Sequence, residues 1–275
     1  MRPANFRIAV IVTTYNRPDA LSAVLEGCFV QTDPDFEVIV ADDGSTEETA
    51  KVVREFQARA PFTIRHVWQE DIGFRAAAIR NRALAATDAD YVVFTDGDCV
   101  PPPGFIASHR NLAERGWFLA GNRLMLMPDF TRQVLQEKLP IHLWGLSDWL
   151  IARWHGHILR WLPFIRLPDW DWLRKRTPQR WEGVKTCNLS AWRDDLLAVN
   201  GLEESYTGWG LEDSDLVISL LRAGVKHKNA RFSVPLFHLW HAENDRRQLE
   251  ENQQRLDAVL SSDHVRALHG VDQYR

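Results

Sequence analysis

The sequence predicts an α/β protein with a mixed, mostly parallel sheet flanked by helices and interrupted by a helical insert. From residue 7 to about residue 127, short runs of β-branched residues alternate with amphipathic stretches, as in βα units. From about residue 128 to residue 181, this rhythm gives way to a segment rich in Trp, Arg, Leu and Pro. Strand and helix patterns resume at Gly183. A chain of 275 residues can bury about three quarters of its unfolded surface, in one large domain or two closely joined ones.

Four strands separated by helices are expected in the first part of the chain. The strands are predicted at residues 8–13, 36–41, 62–68 and 91–94. A helix should follow Pro18 and bury one apolar face, formed by Leu21, Val24, Leu25 and Cys28. A second helix should follow Ser45, because Ser45 and Glu48 have the spacing of a capping box. A third helix is predicted over residues 75–86.

The last part of the chain continues with shorter elements. A strand is expected at residues 186–191, a helix after Asp194, and a glycine-rich turn at residues 208–210. An amphipathic helix is predicted over residues 212–223. A strand at residues 232–237 and a highly polar C-terminal helix complete the pattern.

The composition argues against several classes of protein. The 33 basic and 37 acidic residues nearly balance, so the net charge of −4 offers no global field for binding nucleic acid. The three cysteines are far apart and lack C-x-x-C spacing, which argues against a disulfide scaffold or structural zinc site and suits a reducing cytoplasm. The first apolar run is too short for a signal peptide, and no uncharged stretch approaches the roughly 18 to 20 residues of a membrane span. We therefore expect a cytoplasmic protein without a nucleic-acid partner.

Carboxylates follow the C-terminal ends of two predicted strands, at the edge where open α/β sheets bind ligands. Asp96 and Asp98 could hold a divalent cation that bridges a nucleotide diphosphate. The same D-G-D sequence is also ordinary turn composition. Asp42 and Asp43 could accept hydrogen bonds from a uracil or a ribose, although a turn and a helix cap explain these residues equally well.

Basic residues and histidines form two further groups of candidates. Arg75, Arg80 and Arg82 lie near one another on the third predicted helix, where they could pair with a diphosphate or form a solvated helix face. His238 and His241 are three residues apart at the end of an apolar strand. They could reach the same metal ion, or they could be an ordinary pair of histidines.

The predicted helix at residue 212 opens with two carboxylates directly after an aromatic residue. Glu212 and Asp213 could stabilise the helix N-terminus through its dipole. Either carboxylate could instead serve as a general base at a pocket rim, beside Trp209 as an aromatic platform for a sugar ring. On this segment alone, the helix cap is the usual explanation.

Taken together, these segments resemble the family 2 glycosyltransferases of the GT-A fold, over most of the chain. The matching segments are residues 12–18 (VTTYNRP), 40–45 (VADDGS), 80–81 (RN), 96–98 (DGD) and 208–213 (GWGLED). The second half, from residue 186 through His241, resembles the catalytic halves of bacterial chondroitin polymerases and animal β-1,4-galactosyltransferases. The resemblance implies three parts: a nucleotide-sugar-binding half (1–127), the Trp/Arg-rich helical insert (128–182), and an acceptor-binding and catalytic half with the C-terminal helix (183–275).

The resemblance also implies the residues of a donor and metal site. The nucleotide-sugar pocket would be lined by Thr14, Tyr15, Arg17, Asp42, Asp43, Arg80 and Asp96. The implied ligands of Mn²⁺ or Mg²⁺ are Asp98, His241 and, as a weaker ligand, His238.

On the acceptor side, the resemblance implies that Trp209 stacks on a sugar, Glu212 holds the acceptor and Asp213 is the catalytic base. Leu211 departs from the family pattern, since the relatives usually carry a second glycine there. This departure places the shape of the acceptor loop, and the identity of the acceptor, in question.

The reaction that this resemblance implies is a single inverting transfer of a hexose or N-acetylhexosamine from a UDP-sugar. The acceptor would be a surface glycan or glycolipid, such as lipopolysaccharide core or capsule. A nucleotide-sugar- or glycan-binding protein that has lost catalysis is the alternative, but it would not need Asp213. A nucleotidyltransferase would carry a glycine- and lysine-rich phosphate loop near the first strand, and residues 13–16 do not form one.

The insert contains seven of the twelve tryptophans, between Trp144 and Trp181. Its residues with helical spacing are Trp154, Ile158, Trp161 and Ile165, and the neighbouring basic residues are Arg153, Arg160, Arg166, Arg174, Lys175, Arg176 and Arg180. Aromatic and basic residues together suit peripheral contact with anionic lipid of the inner leaflet. A core-packed helical subdomain or a dimer surface would use the same residue types, and the oligomeric state stays open.

Overall fold

The structure is a computed structural model that describes residues 6–158, 168–242 and 245–275. The strands in this part of the chain are β1 Ile8–Thr14, β2 Phe36–Asp42, β3 Ile64–Trp68, β4 Tyr91–Asp96, β5 Cys99–Val100, β6 Trp117–Ala120, β7 Asn122–Met125, β8 Asn188–Trp192, β9 Lys226–Asn229 and β10 Pro235–His238. The helices are α1 Pro18–Phe29, α2 Glu47–Arg59, α3 Ala76–Ala85, α4 Phe105–Leu112, α5 Pro128–Glu137, α6 Leu146–Trp154, α7 Asp171–Arg174, α8 Arg193–Ala198, α9 Glu212–Arg222 and α10 Leu249–Leu260. Short 3₁₀ helices lie at Ile141–Leu143 and Val271–Tyr274. None of these helices combines the length and the apolar character needed to cross a bilayer.

A seven-stranded mixed sheet forms the centre of the fold, in the order β3-β2-β1-β4-β8-β6-β9. β1 pairs in parallel with β2 and with β4, and β2 pairs in parallel with β3. β8 is antiparallel to both of its neighbours, β4 and β6. Because parallel strands end at the same edge, the ends of β1, β2 and β4 place Thr14, Asp42 and Asp96 along one side of the sheet.

Helices cover both faces of this sheet, and the alternation of side chains along β1 shows why. Val10 and Val12 point to the face that packs against α1 and α2. Ala9 and Ile11 point to the opposite face, which packs against α3, α8 and α9. A strand that is buried on both faces has no polar alternation, which explains the continuous apolar run that marks β1 in the sequence.

A second, three-stranded sheet brings the C-terminal half of the chain to the end of β4. β10 lies between β5 and β7, antiparallel to β5 and parallel to β7. The register places His238 opposite Cys99, and the N–H of Leu239 donates to the carbonyl oxygen of Asp98 at 2.9 Å. This pairing holds the histidine-bearing strand next to the aspartates that follow β4.

The elements predicted in the first half are present, with small shifts of their ends. β4 extends through Asp96, so this aspartate belongs to the strand and not to the following turn. The predicted capping box is wrong, because Thr46 is the N-cap residue of α2. The Oγ atom of Ser45 instead accepts a hydrogen bond from the N–H of Asn16, at 2.8 Å, and thereby joins the turns that follow β1 and β2.

The short strands from β5 onwards depart further from the prediction. The prediction omits β5, β6, β7 and β9, each of which has four residues or fewer. Strands of this length carry too little alternation to be recognised in a sequence. β8 begins at Asn188 rather than at residue 186, and the strand predicted at residues 232–237 is shifted to Pro235–His238.

The helical spacing predicted for the insert is wrong between Trp154 and Ile158. α6 ends at Trp154, and Ile158 lies beyond it in an isolated bridge to Leu126, so one helix does not carry both residues. Gly156, with a φ of 75°, turns the chain between them. The other residues of the predicted pattern, Arg160, Trp161, Ile165 and Arg166, lie outside the described residues.

Two basic residues that were expected on the surface of the insert are partnered within the protein. Arg174 is 3% exposed, and its guanidinium donates to the carbonyl oxygens of Asn229 and Arg231, at 3.1 and 2.8 Å. Lys175 forms an ion pair with Glu114 at 2.8 Å. These contacts attach the end of the insert to the segment around β9 and to the loop before β6, and they engage both cations within the protein.

Replacing Arg174 by Ala should lower the free energy of unfolding by about 3 kcal/mol, because the substitution leaves buried carbonyl groups without a donor. Urea unfolding, followed by circular dichroism, measures this change. Arg176→Ala is the matched control, since Arg176 is exposed and should change the stability by less than about 0.5 kcal/mol. Equal effects of the two substitutions would contradict the structural role of Arg174.

Candidate functional site

A cavity of about 580 Å³ opens at the C-terminal ends of β1 and β4, and its wall includes residues of both sheets. The predicted site residues on this wall are Thr14, Tyr15, Arg17, Asp43, Arg80, Asp96, Asp98, Trp209, Glu212, Asp213, His238 and His241. Among the residues that the family resemblance implies for the site, Asp42 is the one that does not line the cavity. The fold thus gathers residues from distant parts of the chain around one space.

The two aspartates at the C-terminal end of β2 have different environments. Asp42 is fully buried; its Oδ1 accepts a hydrogen bond from the N–H of Ser45 at 2.8 Å, and its Oδ2 lies 2.9 Å from His66 Nε2. Asp43 lies on the cavity wall, where its Oδ2 accepts a hydrogen bond from the N–H of Arg75 at 2.8 Å. Burial raises the pKa of Asp43 above its ordinary value. Asp42 therefore holds the turn, and Asp43 is the carboxylate that can meet a ligand.

The turn after β1 carries three of the predicted residues. Tyr15 is half exposed, and its hydroxyl donates to Asp71 Oδ2 at 2.8 Å. A Cβ atom at Gly97 would lie 2.9 Å from Cβ of Thr14, so the residue between the two aspartates of the D-G-D segment has to be glycine. Arg17 lines the cavity two residues after Tyr15.

Arg80 is 5% exposed and forms the centre of a polar network. Its Nε donates to Thr13 Oγ1 at 3.0 Å, its Nη1 to Glu212 Oε1 at 3.2 Å and its Nη2 to Asp96 Oδ1 at 3.1 Å. Burial alone lowers the pKa of Arg80, but the carboxylates of Asp96, Asp213 and Glu212 outweigh burial and raise this pKa above its ordinary value. One buried cation therefore interacts electrostatically with three carboxylates.

Of the three arginines predicted near a diphosphate, Arg80 alone lines the cavity. The guanidinium of Arg82 lies 4.5 Å from the ring centre of Tyr274. Arg75 caps α3 with its backbone, and its Nη2 donates to the carbonyl oxygen of Glu70 at 3.1 Å. Arg75 and Arg82 therefore serve the structure around α3.

Asp98, His238 and His241 form a candidate metal centre, since their ligand atoms all lie within 4.8 Å of one another. The Nε2 atoms of His241 and His238 lie 3.3 and 3.6 Å from the carboxylate oxygens of Asp98. Burial, with help from nearby Arg123, lowers the pKa of His238 to about 3, so its neutral imidazole has a lone pair to offer. One carboxylate and two imidazoles are a donor set that fits Mn²⁺ and similar divalent cations.

The two aspartates of the D-G-D segment have different partners. Asp96 is held by Arg80, whereas Asp98 faces the histidines. Burial and the neighbouring Asp96 raise the pKa of Asp98 above its ordinary value. Asp96, Asp98 and Cys99 form an alternative cluster of ligand atoms. Burial raises the pKa of the Cys99 thiol well above its ordinary value, which disfavours the thiolate that binds metals and leaves the histidine set as the better site.

The opposite side of the cavity is built by the start of α9. Glu212 and Asp213 form its first turn and are both more than nine-tenths buried. Leu211, the N-cap residue, has a φ of 80°, which places a non-glycine residue in the left-handed region at a cost of about 1 to 2 kcal/mol. Trp209 lies on the wall just before this turn.

Sequence reasoning missed several residues of the wall. Arg123 comes from β7, a strand too short to be predicted, and it has no ion pair with any described residue. Lys185 and Thr186 precede β8, and both contact Asp213: the Thr186 hydroxyl donates to Oδ1, and Lys185 Nζ lies 3.9 Å from Oδ2. A signal for Lys185 and Thr186 was present in the sequence, because these two polar residues lie at the start of a predicted strand within the region of family resemblance.

A pH-dependent contribution to stability is expected from Glu212, whose pKa is raised to about 7 by burial and by Asp213. The ordinary value is 4.5, so the folded state holds this proton more tightly than the unfolded chain, and the stabilisation is lost as the pH rises through 7. When the pH is raised from 5 to 8, wild type should therefore lose about 1 to 3 kcal/mol of unfolding free energy that Glu212→Gln does not lose. Urea unfolding at both pH values measures this difference. The exposed control Glu55→Gln should show no such trend, and a pH-independent effect of Glu212→Gln would contradict the raised pKa.

Two solved structures of similar fold bind nucleotides or nucleotide sugars. One is the mannosyltransferase of Pyrobaculum calidifontis in complex with GDP-Man and Mn²⁺, with a TM-score of 0.58 and 18% identity over 86% of this chain and 58% of that chain. Another is S. aureus TarS 1-349 in complex with UDP, with a TM-score of 0.57 and 13% identity over 98% of this chain and 68% of that chain. At these identities the likeness shows the fold, and it agrees with the GT-A fold expected from the sequence.

Comparison with known sequences completes the assignment. Validoxylamine A glucosyltransferase of Streptomyces hygroscopicus subsp. jinggangensis is 31% identical over 232 residues, which are 79% of this chain and 52% of that protein. Chondroitin synthase of Escherichia coli is 39% identical over 106 residues, which are 38% of this chain and 15% of that protein. The chain thus spans about half the length of the first relative.

Residues 173–242 match the model described as the N-terminal domain of galactosyltransferase. Residues 9–158, more than half of the chain, match the model of glycosyl transferase family 2, and the chain belongs to that family.

Proposed function

We propose that this chain is an inverting, metal-dependent glycosyltransferase that moves a hexose or N-acetylhexosamine from a UDP-sugar to a glycan or glycolipid acceptor. The observation that carries the proposal is the meeting of two kinds of group on one cavity wall. A ligand set for a divalent cation, Asp98, His238 and His241, shares the cavity with a buried carboxylate, Asp213. A protein that only binds a nucleotide sugar has no use for the carboxylate, whereas a transferase needs both.

The uridine of the donor is assigned to the wall formed by the turns after β1 and β2. Asp43 can accept hydrogen bonds from the uracil or the ribose, and Tyr15 offers a half-exposed aromatic ring beside it. Thr14 and Arg17 complete this part of the wall. Arg123 provides a positive charge near the D-G-D segment for the diphosphate, which arginine binds well.

Asp98 and the two histidines would hold the divalent cation, as the donor set described above allows. When bound, such a cation neutralises negative charge that develops on the leaving diphosphate. Arg80 holds Asp96 beside this site and keeps its carboxylate in a fixed position. The mannosyltransferase structure with GDP-Man and Mn²⁺ supports a metal-dependent reaction on this fold.

The chemistry at the acceptor side follows from Asp213. Its carboxylate takes the proton of the acceptor hydroxyl, and the hydroxyl oxygen forms a bond to the anomeric carbon. The bond from that carbon to the diphosphate oxygen breaks, and its electron pair leaves with UDP. Because the acceptor attacks from the face opposite the diphosphate, a single displacement inverts the configuration, and no second carboxylate across the bond is required.

The remaining acceptor-side residues hold the sugar that receives the new bond. Glu212 is buried with a raised pKa and can exchange hydrogen bonds with an acceptor hydroxyl. Trp209 presents an aromatic surface on the same wall. The matches to proteins named chondroitin synthase and hyaluronan synthase support a polysaccharide acceptor, and we propose a surface glycan such as lipopolysaccharide core or capsule.

A donor screen tests this function directly. The purified chain is incubated with Mn²⁺ and, separately, UDP-glucose, UDP-galactose, UDP-N-acetylglucosamine, UDP-N-acetylgalactosamine and GDP-mannose, and release of the nucleotide is measured. One UDP-sugar should be preferred, and EDTA should abolish its turnover. A preference for GDP-mannose would overturn the uridine assignment. UDP binding without release from any donor would favour the binding-protein alternative.

Asp213→Asn should reduce nucleotide release by at least about 100-fold, because the amide cannot take the acceptor proton. Binding of UDP in the presence of Mn²⁺, measured by isothermal titration calorimetry, should stay within about twofold of wild type, since Asp213 lies on the acceptor side. Turnover that survives this substitution would refute the assignment of the base.

Asp98→Ala should weaken UDP binding about tenfold or more when Mn²⁺ is present, because the substitution removes the carboxylate of the ligand set. The same titration in EDTA should show little difference between the variant and wild type. Asp88→Ala, an exposed aspartate outside the cavity, is the control and should bind as wild type does. Unchanged Mn²⁺-dependent binding in Asp98→Ala would remove the metal site.

We also propose that the insert makes peripheral contact with the inner leaflet of the cytoplasmic membrane. α6 exposes four large apolar residues: Leu146, Leu150, Ile151 and Trp154, the last of which is 89% exposed. Its buried Trp149 packs on Phe237 of β10, with ring centres 4.4 Å apart, so the helix is fixed to the strand that bears His238. Because Arg174 and Lys175 are partnered inside the protein, insertion of apolar side chains is the main contribution expected.

Co-sedimentation with vesicles of phosphatidylethanolamine and phosphatidylglycerol, at low salt, tests this contact. Wild type should sediment with the vesicles, and Trp154→Asp combined with Ile151→Asp should reduce the bound fraction at least about fivefold. Leu268→Asp, which replaces an apolar residue that is 78% exposed near the C-terminus, is the matched control. Wild type that stays in the supernatant would exclude the proposed contact.

A further inference from the structure

The carboxylate of Asp213 is held by a residue to which the family resemblance assigned no role. Thr186 is 1% exposed, and its hydroxyl donates a hydrogen bond to Oδ1 of Asp213. Thr186 lies in a turn two residues before β8, a strand of the central sheet, and the N–H of Asn188 closes this turn by donating to the carbonyl oxygen of Lys185 at 3.2 Å. Because Thr is β-branched, its side chain has few rotamers, and the direction of the hydroxyl is well defined.

The two oxygens of the Asp213 carboxylate have different surroundings. Oδ1 accepts the hydrogen bond from Thr186, whereas Oδ2 lies 3.9 Å from Nζ of Lys185, too far for a hydrogen bond. The Lys185 side chain is 42% exposed and carries its ammonium group on a flexible stem, so it can move aside when an acceptor enters. Thr186 is buried and has no such freedom. Oδ2 is therefore the oxygen that an incoming hydroxyl can reach.

We propose that Thr186 is the positioning residue of the Asp213 base, and that its hydrogen bond to Oδ1 leaves Oδ2 as the atom that receives the acceptor proton. This inference rests on the proposed function. In the transfer, the O–H bond of the acceptor breaks as its oxygen bonds to the anomeric carbon, and the proton passes to Oδ2. The electron pair of the broken bond to the diphosphate leaves with UDP. The Thr186 hydroxyl keeps its own proton throughout and donates to Oδ1 before and after the step.

Three variants separate positioning from simple structural support. Thr186→Val keeps the shape of the side chain and removes the donor, whereas Thr186→Ser keeps the donor. Thr49→Val is the matched control, because Thr49 is fully buried in α2 and its hydroxyl has no hydrogen-bond partner among the described residues. For each variant, kcat and KM are measured by UDP release, with Mn²⁺ and the UDP-sugar that the donor screen selects. Crystal structures of both Thr186 variants report the orientation of Asp213.

Thr186→Val should lower kcat about 10- to 100-fold, the effect of losing a hydrogen bond to a charged group, while KM for the UDP-sugar stays within about twofold of wild type. Thr186→Ser should recover kcat to within about fivefold of wild type, and Thr49→Val should match wild type. The Asp213 side chain should turn in the Val variant and keep its orientation in the Ser variant.

Several results would overturn the inference. A Thr186→Val variant with wild-type kcat and an unmoved Asp213 would do so, and so would a loss in kcat and UDP affinity that Thr186→Ser does not recover. The variant Asp213→Asn distinguishes this failure from failure of the proposed function. If Asp213→Asn is inactive and Thr186→Val is fully active, only the positioning role is lost. If Asp213→Asn itself turns over, the base assignment fails and the positioning role fails with it.

Discussion

The guanidinium of Arg80 lies where the two halves of the chain meet. One of its nitrogens binds Asp96 at the end of β4, and another binds Glu212 at the start of α9. A buried charge that loses its partners costs several kcal/mol, so the fold must bring both carboxylates to this side chain. The two sides of the cavity that are proposed to bind the donor and the acceptor are thereby held at a fixed separation. Because Arg80 engages Asp96, the other aspartate of the pair, Asp98, is left to the histidines.

The second sheet provides the other half of this arrangement. β10 is short, but it is paired on both edges, and its C-terminal end delivers His238 and then His241 to the aspartates after β4. The cavity is thus assembled from strands and loops of both halves of the chain, and no single segment contains it. Trp149, packed on Phe237, links the same strand to the exposed helix α6. The proposed metal site and the proposed membrane contact therefore share one supporting strand.

Sequence reasoning predicted the parts of the fold that have long apolar runs, such as β1 and β4, because burial on both faces leaves a clear pattern. It also singled out residues in recognisable motifs that the structure gathers on one cavity wall. It failed where the cause is tertiary. β7, which carries Arg123, is too short to show alternation, and the burial of Arg174 depends on carbonyl groups more than 50 residues away. Ser45 has the correct spacing for a helix cap but bonds to the turn after β1, a contact that local sequence does not reveal.

Leu211 has a strained backbone at the start of α9, beside the cavity. Its left-handed backbone is a conformation that an isolated chain would avoid, and it persists because α9 is packed against the central sheet. The packing of α9 therefore holds the preceding loop in a strained conformation, on the side of the cavity that is proposed to bind the acceptor. Conditions that loosen α9 should relax this loop before the rest of the molecule unfolds, so that the proposed acceptor binding is lost at a milder stress than the proposed nucleotide binding.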